Sequence, residues 1–459
     1  MFQVSIGSRP MGSLIPSCIL IIAIGLLGGC VSVDARPDLQ RGASIVFERG
    51  GVATDWTRPW DTSLVSWDGS EPLPLESAIA MALRNNRELR AEVEQISLAR
   101  ADLAQAGLLP NPMLTMAFRV PVDPVEGGTF VGAGVMQSFV ALWLRGGRVR
   151  AADARLNQAV LGVSDRALKL AAEVKATYAR IGFAEQEARL VDEAIASSRR
   201  TIEILEARVT RGEGTALDVN RARQMLSESE IMRMIAAREL ARDRRMLLEL
   251  MGFPSAADAW SVSQPAGGSF VAGAEEDAVR LALAQRLDVA ASGAIIEAHA
   301  ADLSIEELSR VRELSAGLDA ERDHGGERSA GPVLSAAVPI FDMNDAQIAR
   351  AGAAARAAVA SYEAAAQRAI RAARVAWSDH AHGCRLVEQQ RSAVLGAAER
   401  NAALAEAELR AGQADVTAFL EAQREVIRAK QTLLALERET ELAAIELERA
   451  VGGRLSRSD

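Results

Sequence analysis

Aromatic side chains are scarce in this 459-residue chain, at 4% of all residues. Alanine, arginine, leucine and glutamate dominate instead, and this composition favours long helices over a conventional globular core. The formal net charge is −9, so the chain lacks the basic footprint of a nucleic-acid-binding protein. Neither a glycine-rich phosphate loop nor a Ser-His-Asp or paired-carboxylate arrangement is present, so we expect no enzyme and no cofactor.

The N-terminus resembles a bacterial export signal. Arg9 precedes a mostly apolar stretch, residues 14–27, that runs into Gly28-Gly29-Cys30. Small residues just before a cysteine form the lipobox pattern, which predicts a lipoprotein signal peptide over residues 1–29 and lipidation of Cys30. A short transmembrane anchor is the alternative, but the stretch is shorter than the ~20 residues that a spanning helix needs. Val31 follows the cysteine. An Asp at this position would instead signal retention of the lipoprotein in the inner membrane.

Few cysteines and no long apolar run remain after this segment. Of the three cysteines, only Cys384 is left to the mature chain without a lipid, so no intramolecular disulfide can form. After residue 30 no apolar run reaches 18 residues. If the mature chain spans a membrane, it must therefore do so with strands.

The chain repeats itself at an offset of 200 residues. Residues 78–103 align without gaps on 278–303 with eight identities, and the same offset aligns 211–213 with 411–413. Since two separate segments share one offset, we infer a tandem duplication. Each half is predicted to contain a helix, two short strands, a very long helix, a tight turn and another helix. The predicted helices cover residues 75–106, 146–211, 215–251, 275–308, 344–410 and 415–451.

The long helices carry heptad seams. The first has sixteen seam positions between Leu156 and Val209 at alternating spacings of 4 and 3, fourteen of them apolar. A period of 3.5 sustained over about 100 Å of helix predicts supercoiled packing against neighbouring helices. The second has a weaker seam through Ile348, Ala355, Val359, Tyr362, Ala373, Val387, Val394 and Leu404.

A tight turn follows each long helix. Gly212 and Gly412 suit the left-handed position just past a helix end. Thr215 and Asp218 have the spacing of a capping box, and Asp415 can cap the last helix.

Four short segments alternate apolar and small or polar residues, as transmembrane strands do. They are predicted at residues 113–121, 129–139, 312–321 and 332–341. Open sheet edges are not tolerated in lipid, so strands in a membrane would require an oligomer, and a trimer would supply twelve. Two soluble hairpins packed on the helices are the alternative.

Three sets of motifs occur in a fixed order along the chain. They are the segment from Leu73-Pro74-Leu75-Glu76 to Leu108-Leu109-Pro110-Asn111-Pro112, the junction Val338-Pro339-Ile340-Phe341-Asp342, and the turns at 212–222 and 412–422. Together they resemble the outer-membrane efflux protein family, of which TolC is the namesake. The resemblance covers roughly residues 70–453. It implies a mainly α, tandem-repeat fold with a transmembrane β component: long coiled-coil helices in a trimeric α-barrel below a shared twelve-stranded β-barrel.

The resemblance also implies a domain plan and a function. An extended lipidated strap, 30–70, would precede repeats over 71–274 and 275–453 and a tail over 454–459. The homotrimer would be a lipid-anchored passive channel in the outer membrane of a Gram-negative bacterium, with a large periplasmic portion. It would export drugs or heavy-metal ions, with a periplasmic adaptor and an inner-membrane pump as partners.

The site residues implied by the resemblance lie at the periplasmic tips. Gly212 and Gly412 would contact the adaptor. Of the two acidic gate positions of the family, Ala418 has lost the charge and Glu421 keeps it, giving one ring of three carboxylates in a trimer. Asp218 is either the equivalent gate residue of the first repeat or only the helix cap.

Other functions are compatible with parts of the pattern. A periplasmic lipoprotein hairpin scaffold or an adaptor would account for the helical hairpins, and the outer-membrane component of a type I secretion system would account for the whole plan. His380 and Cys384 are four residues apart on one helix face. We interpret His380 as a packed or solvated histidine and expect no metal site.

Overall fold

The computed structural model describes residues 33–58, 67, 71–120, 128–253, 260–263, 273–310, 313–411 and 416–454. Residues 35–459 belong to one compact unit. In the described residues the helices are α1 (Arg36–Gly50), α2 (Leu75–Asn85), α3 (Arg87–Ala106), α4 (Val140–Thr210), α5 (Ala216–Leu250), α6 (Glu275–Gln285), α7 (Leu287–Leu308), α8 (Asp345–Gln389), α9 (Gly396–Arg410) and α10 (Val416–Val451). The strands are β1 (Met113–Arg119), β2 (Phe130–Ser138), β3 (Leu314–Arg322) and β4 (Arg328–Ala336).

The duplication is visible in the structure. The predicted helices 75–106 and 275–308 are each broken at equivalent extended residues, Asn86 and Arg286. Against each break lies a left-handed glycine, Gly252 or Gly452, with φ of 82° and 88°. The Asn86 side chain donates to the carbonyl of Leu250, and Arg286 donates to the carbonyl of Ala450. The two halves therefore share the same junction, 200 residues apart.

The predicted seam of the first long helix is confirmed. Thirteen of its sixteen positions are buried in α4, and the other three are half-buried. Its N-terminal half packs against α1, α2, α3 and α5 in the main core. Its C-terminal end, at Leu205, belongs to a second cluster near the turns. At 71 residues α4 is about 107 Å long, at 1.5 Å per residue.

The predicted seam of the second long helix is wrong for the isolated chain. The buried stripe of α8 consists of Ala351, Ala358, Ala365, Ala369, Ala373, Ala376 and His380. Of the eight predicted positions only Ala373 lies on this stripe, whereas Val359, Val394 and Leu404 are exposed. Alanine occupies this buried face because small side chains let helix axes approach closely.

A π-helical turn, Gln390–Leu395, interrupts the second long helix, which was predicted to be continuous. A π turn accommodates an extra residue and so shifts the register of everything that follows. The shift therefore affects only the positions beyond the turn, such as Leu404.

Two predicted boundaries need correction. Residues 30–70 were predicted to be extended, but α1 occupies Arg36–Gly50, with Pro37 and Asp38 in its first turn and Gly51 in the left-handed position that ends it. The fourth strand begins at Arg328 and ends at Ala336, several residues earlier than predicted. A tight turn closed by the Asp323 amide on the Glu327 carbonyl brings β3 and β4 together at once, so Val338 and Ile340 lie beyond the strand.

Tyr178 of α4 joins two chain segments that connect the helices. Its hydroxyl lies 2.7 Å from the carbonyl oxygens of both Leu73 and Ser263, and it donates to one of them at a time. Leu73 also pairs with Val262 in an isolated parallel bridge. Burial raises the pKa of Tyr178 to about 12, and the nearby Glu185 carboxylate adds to the shift.

Tyr178→Phe is expected to lower stability by about 1–2 kcal/mol at neutral pH, because the Ser263 carbonyl loses its hydroxyl donor, whereas the Leu73 carbonyl keeps the Ser263 amide. A raised pKa in the folded state stabilises the protein fully below the pKa of the unfolded state, about 10, and this contribution is lost as the pH rises towards 12. Thermal unfolding midpoints of the two proteins should therefore converge above pH 10. A gap that persists unchanged to pH 12 would contradict this assignment.

Candidate functional site

The four strands form one antiparallel sheet in the order β1-β2-β3-β4. Leu114, Val135, Leu318 and Pro332 are partners across the sheet and therefore share a face. Alternate residues extend this apolar face along each strand, and Met116, Phe118, Leu318 and Leu334 on it are each more than 60% exposed. The sheet thus presents a large apolar surface that none of the described residues covers.

The opposite face of the sheet is mostly polar or small, although Met113, Met136 and Val333 also lie on it. The register places Thr115, Gly134, Asp319 and Gly331 in one row of this face. The next row towards the hairpin ends contains Glu321, which accepts a hydrogen bond from Ser329. Alternation of an apolar with a polar face is typical of strands that separate lipid from water.

The sheet has two open edges. Among the described strands, β1 and β4 each pair on one side only. Unpaired backbone N–H and C=O groups at a sheet edge are a template for another strand. The sheet is therefore incomplete as a single chain.

The first tip turn is built by a capped helix start. Gly212 has φ of 78°, and the Glu213 amide donates to the Arg208 carbonyl. The Asp218 carboxylate accepts from the amide and hydroxyl of Thr215, at 3.0 and 2.7 Å, and the Asp218 amide donates back to that hydroxyl. The predicted capping box is confirmed, so the Asp218 carboxylate is held in the cap.

The two helical hairpins meet in a tip cluster, formed by Leu205, Val219, Ala222, Met225, Leu409, Val416, Phe419 and Leu420. Arg221 of α5 donates to the hydroxyl of Thr417 on α10 at 2.7 Å. Glu421 follows the buried Phe419 and Leu420 on α10 but is itself exposed. The cluster anchors the helix, and the carboxylate stays in contact with solvent.

Three predicted features lie outside the described residues. They are Gly412 with Asp415 in the second tip turn, the signal peptide over 1–29, and Cys30.

His380 packs between two helices. It is 2% exposed, its Nδ1 lies 3.4 Å from the Thr440 carbonyl oxygen, and its Nε2 lies 3.7 Å from Cys384 Sγ. Burial raises the pKa of the Cys384 thiol. The described part of the chain contains no group of three or more His, Cys, Asp or Glu side chains arranged to hold a metal ion.

Sequence reasoning missed two arrangements that the structure assembles. Asn344, in a left-handed conformation and buried, donates from Nδ2 to the backbone and carboxylate of Glu306. Arg322 and Arg328 are direct partners across the β3–β4 hairpin. The sequence would have predicted this pairing only if the fourth strand had been placed to start at Arg328. None of the described helices combines the length and apolarity needed to cross a membrane.

The chain is similar to two curated proteins along most of its length. It is 26% identical to the outer membrane protein OprJ of Pseudomonas aeruginosa, covering 95% of each chain. It is 23% identical to the cobalt-zinc-cadmium resistance protein CzcC of Cupriavidus metallidurans, covering 84% of this chain and 91% of the relative. No protein-family model matches the sequence.

Among solved structures, the outer-membrane channel OprN matches with a TM-score of 0.69 at 20% identity, covering 88% of this chain and 99% of that chain. The chain is a mainly helical protein with a small antiparallel four-stranded sheet. It has the fold of the TolC-like outer-membrane efflux channels, so the predicted resemblance and fold class are confirmed.

Proposed function

We propose that this chain is the outer-membrane channel subunit of a tripartite efflux pump. The observation that carries the proposal is the four-stranded sheet with one exposed apolar face, one polar face and two open edges. Three copies joined edge to edge would close these strands into a twelve-stranded barrel with the apolar face in lipid. The conduit is passive and performs no chemistry.

The helical part supplies the periplasmic tunnel in this proposal. The exposed apolar residues Val359 of α8, Val394 of the π-helical turn and Leu404 of α9 pack against neighbouring copies. The tips, at Gly212 and Gly412, contact a periplasmic adaptor that joins an inner-membrane pump. Lipid on Cys30 anchors the chain after removal of residues 1–29, and the repeats over 71–274 and 275–453 form the body.

The cargo is proposed to be heavy-metal ions or drugs. The name of CzcC, a cobalt-zinc-cadmium resistance protein, supports metal ions. A deletion strain grown across cobalt, zinc and cadmium salts and a panel of drugs would distinguish the two classes.

Detergent-extracted protein tests the channel directly. We expect crosslinking to trap a trimer and planar bilayers containing it to show discrete conductance steps. A water-soluble monomer without conductance would instead identify a periplasmic hairpin scaffold.

Glu421→Gln is expected to weaken the preference of the channel for cations. In a trimer, Glu421 contributes three exposed carboxylates to one narrow ring, and such rings attract cations. Asp218 contributes less, because its carboxylate is held by Thr215. Reversal potentials in asymmetric salt measure the preference.

The matched control is Glu213→Gln, in the exposed tip turn of the first hairpin. Equal cation selectivity of the wild-type protein and the Glu421 variant would show that Glu421 does not line the gate.

A further inference from the structure

Two arginines face each other at one end of the apolar face of the sheet. Arg322, the last residue of β3, pairs directly with Arg328, the first residue of β4. Directly paired residues of antiparallel strands project to the same side, with Cβ atoms about 5 Å apart. Leu318 and Ala320 precede Arg322 on that side, and Ala330 follows Arg328. The pair therefore belongs to the apolar face, not to the polar one.

Neither positive charge has a carboxylate partner among the described residues. The same row continues through Val131 to Phe118, which are apolar. None of the ion pairs found among the described residues includes Arg322 or Arg328. Like charges directly opposite each other destabilise a hairpin. An anion beside the pair would relieve this repulsion.

Among the described residues, the carboxylates near the pair form no ion pair with either arginine. Glu321 is on the polar face and accepts from Ser329. In the turn, Asp323 Oδ1 accepts the amide of Glu327 at 2.9 Å, and the Glu327 carbonyl accepts the amide of Asp323. The Glu327 side chain is exposed at the turn itself.

The position along the strand points to a lipid headgroup. β3 and β4 have nine residues each, the length with which a tilted strand crosses a bilayer core. The helices α7 and α8 attach at the end opposite to the arginine pair. With the helices in the periplasm, the pair lies at the headgroup level of the outer leaflet, where a long arginine stem stays in the apolar region and its guanidinium reaches the surface.

We propose that Arg322 and Arg328 form a binding site for the phosphate groups of an anionic lipid in the outer leaflet. The proposal rests on the proposed function, which places the apolar face in the membrane. Guanidinium groups bind phosphate through two parallel hydrogen bonds, and two of them side by side suit a phosphorylated glycolipid such as lipid A. A trimer carries three such sites around its outer rim.

The test uses the full-length trimer in a neutral detergent with added diphosphorylated lipid A. Native mass spectrometry counts bound lipid, and the thermal unfolding midpoint reports stabilisation. Arg322→Gln with Arg328→Gln is expected to weaken lipid binding about tenfold or more, because both charge-assisted contacts to phosphate are lost. The control is Arg119→Gln, because Arg119 is on the polar face with its guanidinium 5.0 Å from the Phe130 ring centroid.

Without lipid, the double variant should be at least as stable as the wild-type protein, because the repulsion is gone. This result separates loss of a ligand site from loss of fold. Equal lipid binding by the double variant and the wild-type protein would overturn the site. Equal stabilisation by inorganic phosphate, or by lipid A without phosphates, would also overturn it.

The same preparations separate this inference from the proposed function. Wild-type protein that forms a trimer and conducts, but binds lipid A no better than the double variant, defeats the lipid site alone. Wild-type protein that neither forms a trimer nor conducts defeats the proposed function and the lipid site with it.

Discussion

A Gly317→Ala variant is expected to lose the four-stranded sheet and, with it, the trimer and all conductance. Gly317 of β3 is paired with Met136 of β2. A Cβ at this position would overlap the carbonyl oxygen of Val135 and lie 2.7 Å from Met136 Sδ. The backbone oxygen cannot move without breaking the ladder between β2 and β3, so the two hairpins would separate.

Gly331→Ala is the matched control for this prediction. Gly331 lies on the same polar face, in the neighbouring strand β4, and a Cβ there would meet nothing within 4 Å. Crosslinking and bilayer conductance should find this variant unchanged. If Gly317→Ala also assembled and conducted normally, the β2–β3 register would be wrong.

Gly252→Ala is expected to have the second largest effect, on stability. Gly252 is left-handed, with φ of 82°, a conformation that costs an alanine about 1–2 kcal/mol. A Cβ there would also lie 2.8 Å from the Asn85 carbonyl oxygen and 2.9 Å from Asn85 Cβ. Such overpacking costs about 1–3 kcal/mol more, because the break between α2 and α3 would have to move.

Gly212→Ala measures the cost in stability of the left-handed backbone alone. Gly212 has φ of 78°, and a Cβ there would meet nothing within 4 Å. Thermal unfolding of the two variants should show Gly252→Ala to be clearly the less stable. Equal losses of stability in the two variants would mean that the contact of the added Cβ with Asn85 contributes nothing to the effect.

Much of the fold could be predicted from the residue pattern. The offset of 200 residues, the α4 seam from Leu156 to Val209 and the capping box at Thr215 all correspond to structural features. Each is a local regularity: a heptad period, a turn residue or a cap depends on neighbours a few positions away.

The features that sequence reasoning missed depend on distant partners. The α8 seam was placed on the larger apolar residues, but packing on α7 and α10 selects the alanine stripe instead. The fourth strand was placed too late because its start depends on the turn that pairs Arg322 with Arg328.

By itself the sequence determined the duplicated helical plan, the four alternating segments and the turn chemistry, because short-range periodicity and backbone preferences encode these. Only the tertiary structure decided which helix face is buried, which strands are neighbours, and that two arginines stand side by side on the apolar face. Those outcomes depend on register, and a shift of one or two residues between distant segments changes which side chains meet.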